Sequence, residues 1–147
     1  MKLLFLESYL ACIKNSVNSH TFRNFYAEVD GKTKDIVGGG KTSCAFFVSS
    51  ILLTFGLIKA NHLTVEGLLK DLKKSGWYEI TKPLPGSVLL WEEKQSHKHL
   101  GFLVAPGKAV SNSGVKHCPE IHSWNYNGKR KVVAVYWHKR LENNSFN

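Results

Sequence analysis

Apolar positions follow a helical pattern in the first half of the chain and an extended pattern in the second. Leu3, Leu6, Leu10, Ile13 and Val17 recur at three- and four-residue intervals, and Leu4 and Phe5 widen the stripe. That spacing predicts an amphipathic helix over residues 3–17, ended by Asn18 and Ser19. Residues 20–42 carry Phe22, Phe25 and Tyr26, then the turn formers Asp30-Gly31 and Gly38-Gly39-Gly40. A short helix or an irregular crossing is expected there. From Ser43 or Cys44 to Leu53 the apolar residues exceed one face, which predicts a central helix covered from several sides and stopping before Gly56. Thr64 is placed to cap a third helix through Val65, Leu68, Leu69 and Leu72, with Gly76 at its end.

After Gly76 the period becomes that of strands. Trp77–Ile80, Ser87–Trp91, His99–Ala105 and Val132–Trp137 are apolar runs of strand length, and Pro83, Pro85 and Gly86 mark a turn before the second. Pro106-Gly107 folds the third run back on Lys108–Asn112 as a hairpin. Residues 113–128 read as an irregular connection, and the chain from Glu142 onward as a frayed tail. Helices first and antiparallel strands second define an α+β class, with the N-terminal helices packed against a C-terminal antiparallel sheet. At 147 residues this is expected to be one domain, residues 1–147, with one real core.

Composition narrows the picture modestly. The chain is 43% apolar and 12% aromatic, as expected of a globular domain rather than a disordered segment. Cys12, Cys44 and Cys118 match no zinc spacing, and an odd count argues against a complete disulfide framework, so free thiols in a reducing compartment are expected. Glu7 interrupts the short apolar N-terminus, so a native helix is read there instead of an export signal. The expectation is a cytoplasmic protein without a membrane span, with a non-classical or phage-type route of export left open. The formal charge of +9, from 20 basic and 11 acidic residues, permits association with an anionic polymer such as nucleic acid or cell-wall glycan and selects none of them.

The chemistry centres on Cys44. A glycine-rich polar approach ends at this residue, and the buried helix begins with it. Unpaired N–H groups at a helix start, together with the helix dipole, favour thiolate over thiol. Acyl transfer by a cysteine also needs an imidazole to take and return the proton, and donors for the oxyanion. Of seven histidines, His99 is best placed, since it opens an apolar strand and Gly101 leaves room on the same face. His20, His62, His97, His117, His122 and His138 lie in joints, turns or connections, where a surface or satisfied polar role suffices. Other chemistries fit less well. Gly38-Gly39-Gly40-Lys41-Thr42 lacks the first glycine of a phosphate loop, because position 35 is Asp35. His117, Cys118 and His122 supply zinc-ligand types without a paired spacing, so no metal and no cofactor is expected. Cys12 reads as inert packing in the first helix.

Ser43-Cys44-Ala45-Phe46-Phe47-Val48, Pro85-Gly86-Ser87-Val88-Leu89-Leu90-Trp91 and His99-Leu100-Gly101-Phe102-Leu103-Val104 occur in an order that resembles the NlpC-like cysteine peptidases. These belong to the papain-like superfamily that also holds the CHAP amidases. The resemblance spans roughly residues 40–113. It implies a papain-like NlpC-type fold in which Cys44 is the nucleophile, His99 the general base and acid, and a third polar residue on the paired strand orients the imidazole. Asn112 is the choice for that third residue, and Ser111 is its competitor. Strand alternation lets only one of them face the site, and a bulge would exchange them. The chain departs from the family pattern in carrying Ser43 where an aspartate commonly precedes the cysteine, and Ala45-Phe46 where serine-glycine commonly follows. The resemblance implies a thiol amidohydrolase acting on a peptide or amide substrate, such as a cell-wall glycopeptide of peptidoglycan, through a thioester. An acyltransferase, or an inactive binding domain with a basic surface, are the alternatives.

Overall fold

The computed structural model describes residues 1–143. Helix α1 (Phe5–Asn15) is followed by strands β1 (Tyr26–Val29) and β2 (Lys32–Asp35), then by helices α2 (Cys44–Thr54) and α3 (Val65–Lys74). Strands β3 (Tyr78–Glu79), β4 (Val88–Lys94), β5 (His97–Ala105), β6 (Lys108–Ser113), β7 (Cys118–Ser123) and β8 (Val132–Trp137) complete the chain with the short helix α4 (Lys139–Asn143). The last six strands form one antiparallel sheet in the order β3-β8-β4-β5-β6-β7, and β1-β2 is a separate hairpin. The architecture is α+β, with the N-terminal helices against a C-terminal antiparallel sheet. No helix among the described residues is long and apolar enough to cross a membrane.

The core lies between the helices and one face of the sheet. Phe47, Val48, Ile51 and Leu52 of α2 pack with Leu100, Phe102 and Val104 of β5 and Val110 of β6. Their burial is the main stabilising term, at roughly 1.5–3 kcal/mol for each such side chain taken out of water. The opposite sheet face carries a smaller cluster of Leu89, Trp91, Leu103, Ala109 and Val135, covered partly by Trp124 and Tyr126 from the connection after β7. Thr64 caps α3 as its sequence position predicts, its side chain accepting the Gly67 N–H.

Four sequence expectations change. Helix α1 buries Phe5, Tyr9 and Ile13, leaving Leu3 and Leu4 exposed ahead of it. The aromatic pair rotates the buried stripe because Phe5 and Tyr9 pack edge-on against Phe55, and the Tyr9 hydroxyl donates to Gly86 O. The crossing expected over residues 20–42 contains the β1–β2 hairpin, turning at Asp30-Gly31. Its strands are four residues each and largely exposed, and β2 is wholly polar, so no apolar run announces them. The connection at 113–128 contains β7, which adds a sixth strand beside β6. Of the tail expected from Glu142 onward, Glu142 and Asn143 belong to α4, and residues 144–147 lie outside the described residues.

Candidate active site

Two loops fix the approach to Cys44. The Asp35 carboxylate accepts the N–H groups of Phe25, Val37 and Gly39 and the Asn24 amide. Those donors, the Phe25 N–H foremost, hold its acid form down to about 2. At Gly40 the backbone has φ +94°, and a Cβ there would stand 2.5 Å from His117 O. Glycine alone lets this loop lie against the 113–117 turn. Ser43 then turns its hydroxyl to Phe22 O and does not cap α2, so the first N–H groups of the helix remain turned toward the thiol.

Cys44 is partly exposed at the start of α2. The backbone N–H groups of Leu100, the residue after His99, and of Ala45 and Cys44 itself favour its thiolate form. Burial is the larger effect: it pushes the thiol above its ordinary value despite these donors and the nearby Arg130 charge. The helix start therefore does not yield the resting thiolate expected from the sequence, because desolvation outweighs the dipole.

His99 stands on the other side of the sheet. The register pairs it with Trp91, and it alternates with Gly101 and Leu103 on the face away from α2. The β5–β6 ladder ends at the Gly101–Ser111 pair, and beyond that end the two sides meet in one cleft. Both Cys44 and His99 line this cleft of about 810 Å³, together with Asn112, Tyr126 and Arg130. The thiol and the imidazole share the cleft without hydrogen-bonding to each other in the free protein. Burial, the Arg130 charge and His122 push the His99 imidazole down to about 3, so it is neutral at physiological pH.

The residue on the far nitrogen of His99 is Ser111. His99 Nε2 lies 2.9 Å from Ser111 Oγ, which is also 2.7 Å from His122 Nε2 and 3.0 Å from the Tyr126 hydroxyl. The His122 and Tyr126 rings stack at 4.1 Å, and Trp91 packs beside His99. The Asn112 chosen from the sequence points to the α2 side instead. Its Nδ2 donates to Gly40 O at 2.8 Å, and its Oδ1, buried in the cleft wall, has no hydrogen-bond partner. The exchange has one cause. Continued from the Ala105–Lys108 pair, a regular hairpin would set Gly101 opposite Asn112. An irregularity between Leu103 and Ala105 shifts the register by one, to Leu103–Ala109 and Gly101–Ser111. Gly101 also makes the room: a Cβ there would lie 2.7 Å from Ser111 Cβ and 2.8 Å from Trp91 Cζ3.

Tyr126 and Arg130 carry no motif that sequence reasoning recognises. Arg130 is held by its Nε to Glu92 O and its Nη2 to His97 O, with its charge beside the thiol and both rings. Lys41, Lys94, Lys98 and Lys129 add to the cleft, whereas its acids Glu66 and Glu120 are paired with Lys98 and Lys116. Among the described residues no group of three His, Cys, Asp or Glu side chains is gathered for a metal ion. Compared with known proteins, the chain matches no family model and no curated sequence.

Proposed function

We propose that the domain is a cysteine-dependent amide or peptide hydrolase of NlpC-like, papain-like layout, with Cys44 as nucleophile and His99 as general base and acid. The observation that carries the reading is the position of Cys44 at a helix start, in a cleft that its side chain and that of His99 both line.

Both groups start neutral, so proton transfer accompanies attack. The free ring nitrogen of His99 takes the S–H proton as sulfur bonds to the carbonyl carbon, and the carbonyl π pair becomes an oxyanion. Backbone N–H groups at the start of α2 and the Leu100 N–H are the nearby donors for that charge. Collapse of the adduct breaks the C–N bond, and His99 returns its proton to the leaving amine. Water, losing a proton to the same ring, then adds to the thioester, and collapse breaks the C–S bond to release the carboxylic acid while the ring returns that proton to the departing sulfur. Attack requires the thiol and ring to come within about 3 Å, a closure that substrate binding has to supply. An excess of cations in the cleft favours an acyl group that carries carboxylates, as a cell-wall glycopeptide does.

The test is turnover of peptide, amide and glycopeptide substrates by the protein and by Cys44→Ala and His99→Ala. Release of an amine that either substitution abolishes supports the reading, and equal release by all three proteins overturns it. Transfer of the acyl group to an added amine in place of water would make the domain an acyltransferase. The raised thiol and the missing thiol–imidazole bond favour a second reading, a binding domain on the same fold. That domain would retain its ligand after Cys44→Ala and show no turnover.

A further inference from the structure

The hydrogen bonds around Ser111 close on one arrangement of protons. His122 Nδ1 lies 2.7 Å from Ser123 O. A carbonyl only accepts, so Nδ1 carries the proton and, in the neutral ring, Nε2 is bare. That bare nitrogen, 2.7 Å from Ser111 Oγ, takes the single hydroxyl proton of the serine. Ser111 Oγ then has two lone pairs left and two neighbours, the Tyr126 hydroxyl and His99 Nε2. Both must donate. His99 is thereby held as the Nε2–H form, and its Nδ1 is left without a proton.

We propose that His122, acting through Ser111, is a positioning residue that fixes the tautomer of His99 and leaves Nδ1 as the nitrogen able to take the Cys44 proton. The claim rests on the hydrolase reading for its consequence but not for its geometry. His122 sits on β7, across β6 from His99, and its hydrogen-bonded link to that ring runs through the serine hydroxyl. The stack with Tyr126 and the bond to Ser123 O keep its ring from turning. An ordinary orienting amide or carboxylate accepts from the imidazole directly. A serine hydroxyl is able to donate or accept, so it specifies a tautomer only when a second acceptor claims its proton. His122 is that acceptor.

Nitrogen NMR of the histidine rings in the substrate-free protein reads the proton positions directly. The expected result is Nε2–H with bare Nδ1 at His99, and Nδ1–H with bare Nε2 at His122. In His122→Phe the serine proton is released and His99 populates both tautomers, and Ser111→Ala does the same. His122→Gln, whose amide oxygen is again an acceptor, returns His99 toward the Nε2–H form. In a turnover assay His122→Phe lowers kcat about 10- to 100-fold with KM little changed, the size expected when a supporting contact to a reacting group is lost. A wild-type His99 protonated at Nδ1, or a tautomer unmoved in both His122→Phe and Ser111→Ala, overturns the proposal. The wild-type spectrum alone decides it if a variant fails to fold. Tautomers as expected in a protein with no turnover would leave the relay standing and remove the hydrolase reading.

Discussion

Gly101→Ala should strike the fold and the site together. The added Cβ would stand 2.7 Å from Ser111 Cβ, 2.7 Å from Val110 O and 2.8 Å from Trp91 Cζ3. None of these is the free end of a flexible chain. Val110 O belongs to a central strand, Ser111 is fully buried, and the Trp91 indole is fully buried with its Nε1 donating to Trp124 O. Relief requires β5 and β6 to part by several tenths of an ångström, an overpacking that costs roughly 1–3 kcal/mol. For a chain of this size that lowers Tm by about 2–4 °C per kcal/mol. The displacement also carries Ser111 away from His99. Urea unfolding followed by tryptophan fluorescence measures the first effect, and the His99 tautomer measures the second. A loss under about 0.5 kcal/mol, within the range of ordinary surface substitutions, would refute the close-approach argument.

The pH dependence of stability follows from His99. With its folded value near 3 against an ordinary 6.5, the unfolded chain holds a proton on this ring over that window that the folded chain does not. Stability therefore rises with pH through the window. The His99 contribution is complete above the ordinary value and lost as pH falls toward the folded one, a change of a few kcal/mol. Urea titrations between about pH 4 and pH 7 should show a steeper slope for the protein than for His99→Gln, and equal slopes would contradict the assignment. Asp71 is a structural counterpart: burial opposes its charge, but the His62 ring, the Ser75 hydroxyl and the N–H groups of Lys59 and Ala60 hold its acid form low. Asp71→Ala should cost roughly 2–4 kcal/mol in denaturant titrations and leave the His99 tautomer unchanged. Asn112→Ala should loosen the loop ahead of Cys44, seen as faster amide exchange at Gly40 and Lys41, without altering the His99 ring. Lys129→Ala combined with Lys41→Ala should raise KM several-fold for carboxylate-bearing substrates at low salt, and the difference should shrink at high salt.

The helix that begins at Cys44 and the strand that begins near His99 were legible because each is a long apolar run with a polar start. Helix α3 was legible for the same reason, with Thr64 as its cap. Register was not legible. Ser111 and Asn112 are adjacent, and a one-residue shift near Val104 decides which of them faces His99, whereas nothing in Leu103-Val104-Ala105 announces an irregularity. His122 was hidden because Cys118–Ser123 contains Pro119 and lacks a clean alternation, so β7 read as a connection. The charge state of Cys44 was also out of reach. The helix start predicts a lowered value, but the desolvation that reverses it depends on how closely the sheet end and the Arg130 segment cover the sulfur.

Reaction of the three free cysteines with a peptidyl chloromethyl ketone, mapped by mass spectrometry on the protein and on His99→Ala, reaches the central claim most directly. The account predicts alkylation at Cys44 ahead of Cys12 and Cys118, at a rate that climbs as pH rises because the thiol starts protonated, and that falls at least ten-fold without His99. Equal slow labelling of all three thiols, or a Cys44 rate indifferent to His99, would contradict it.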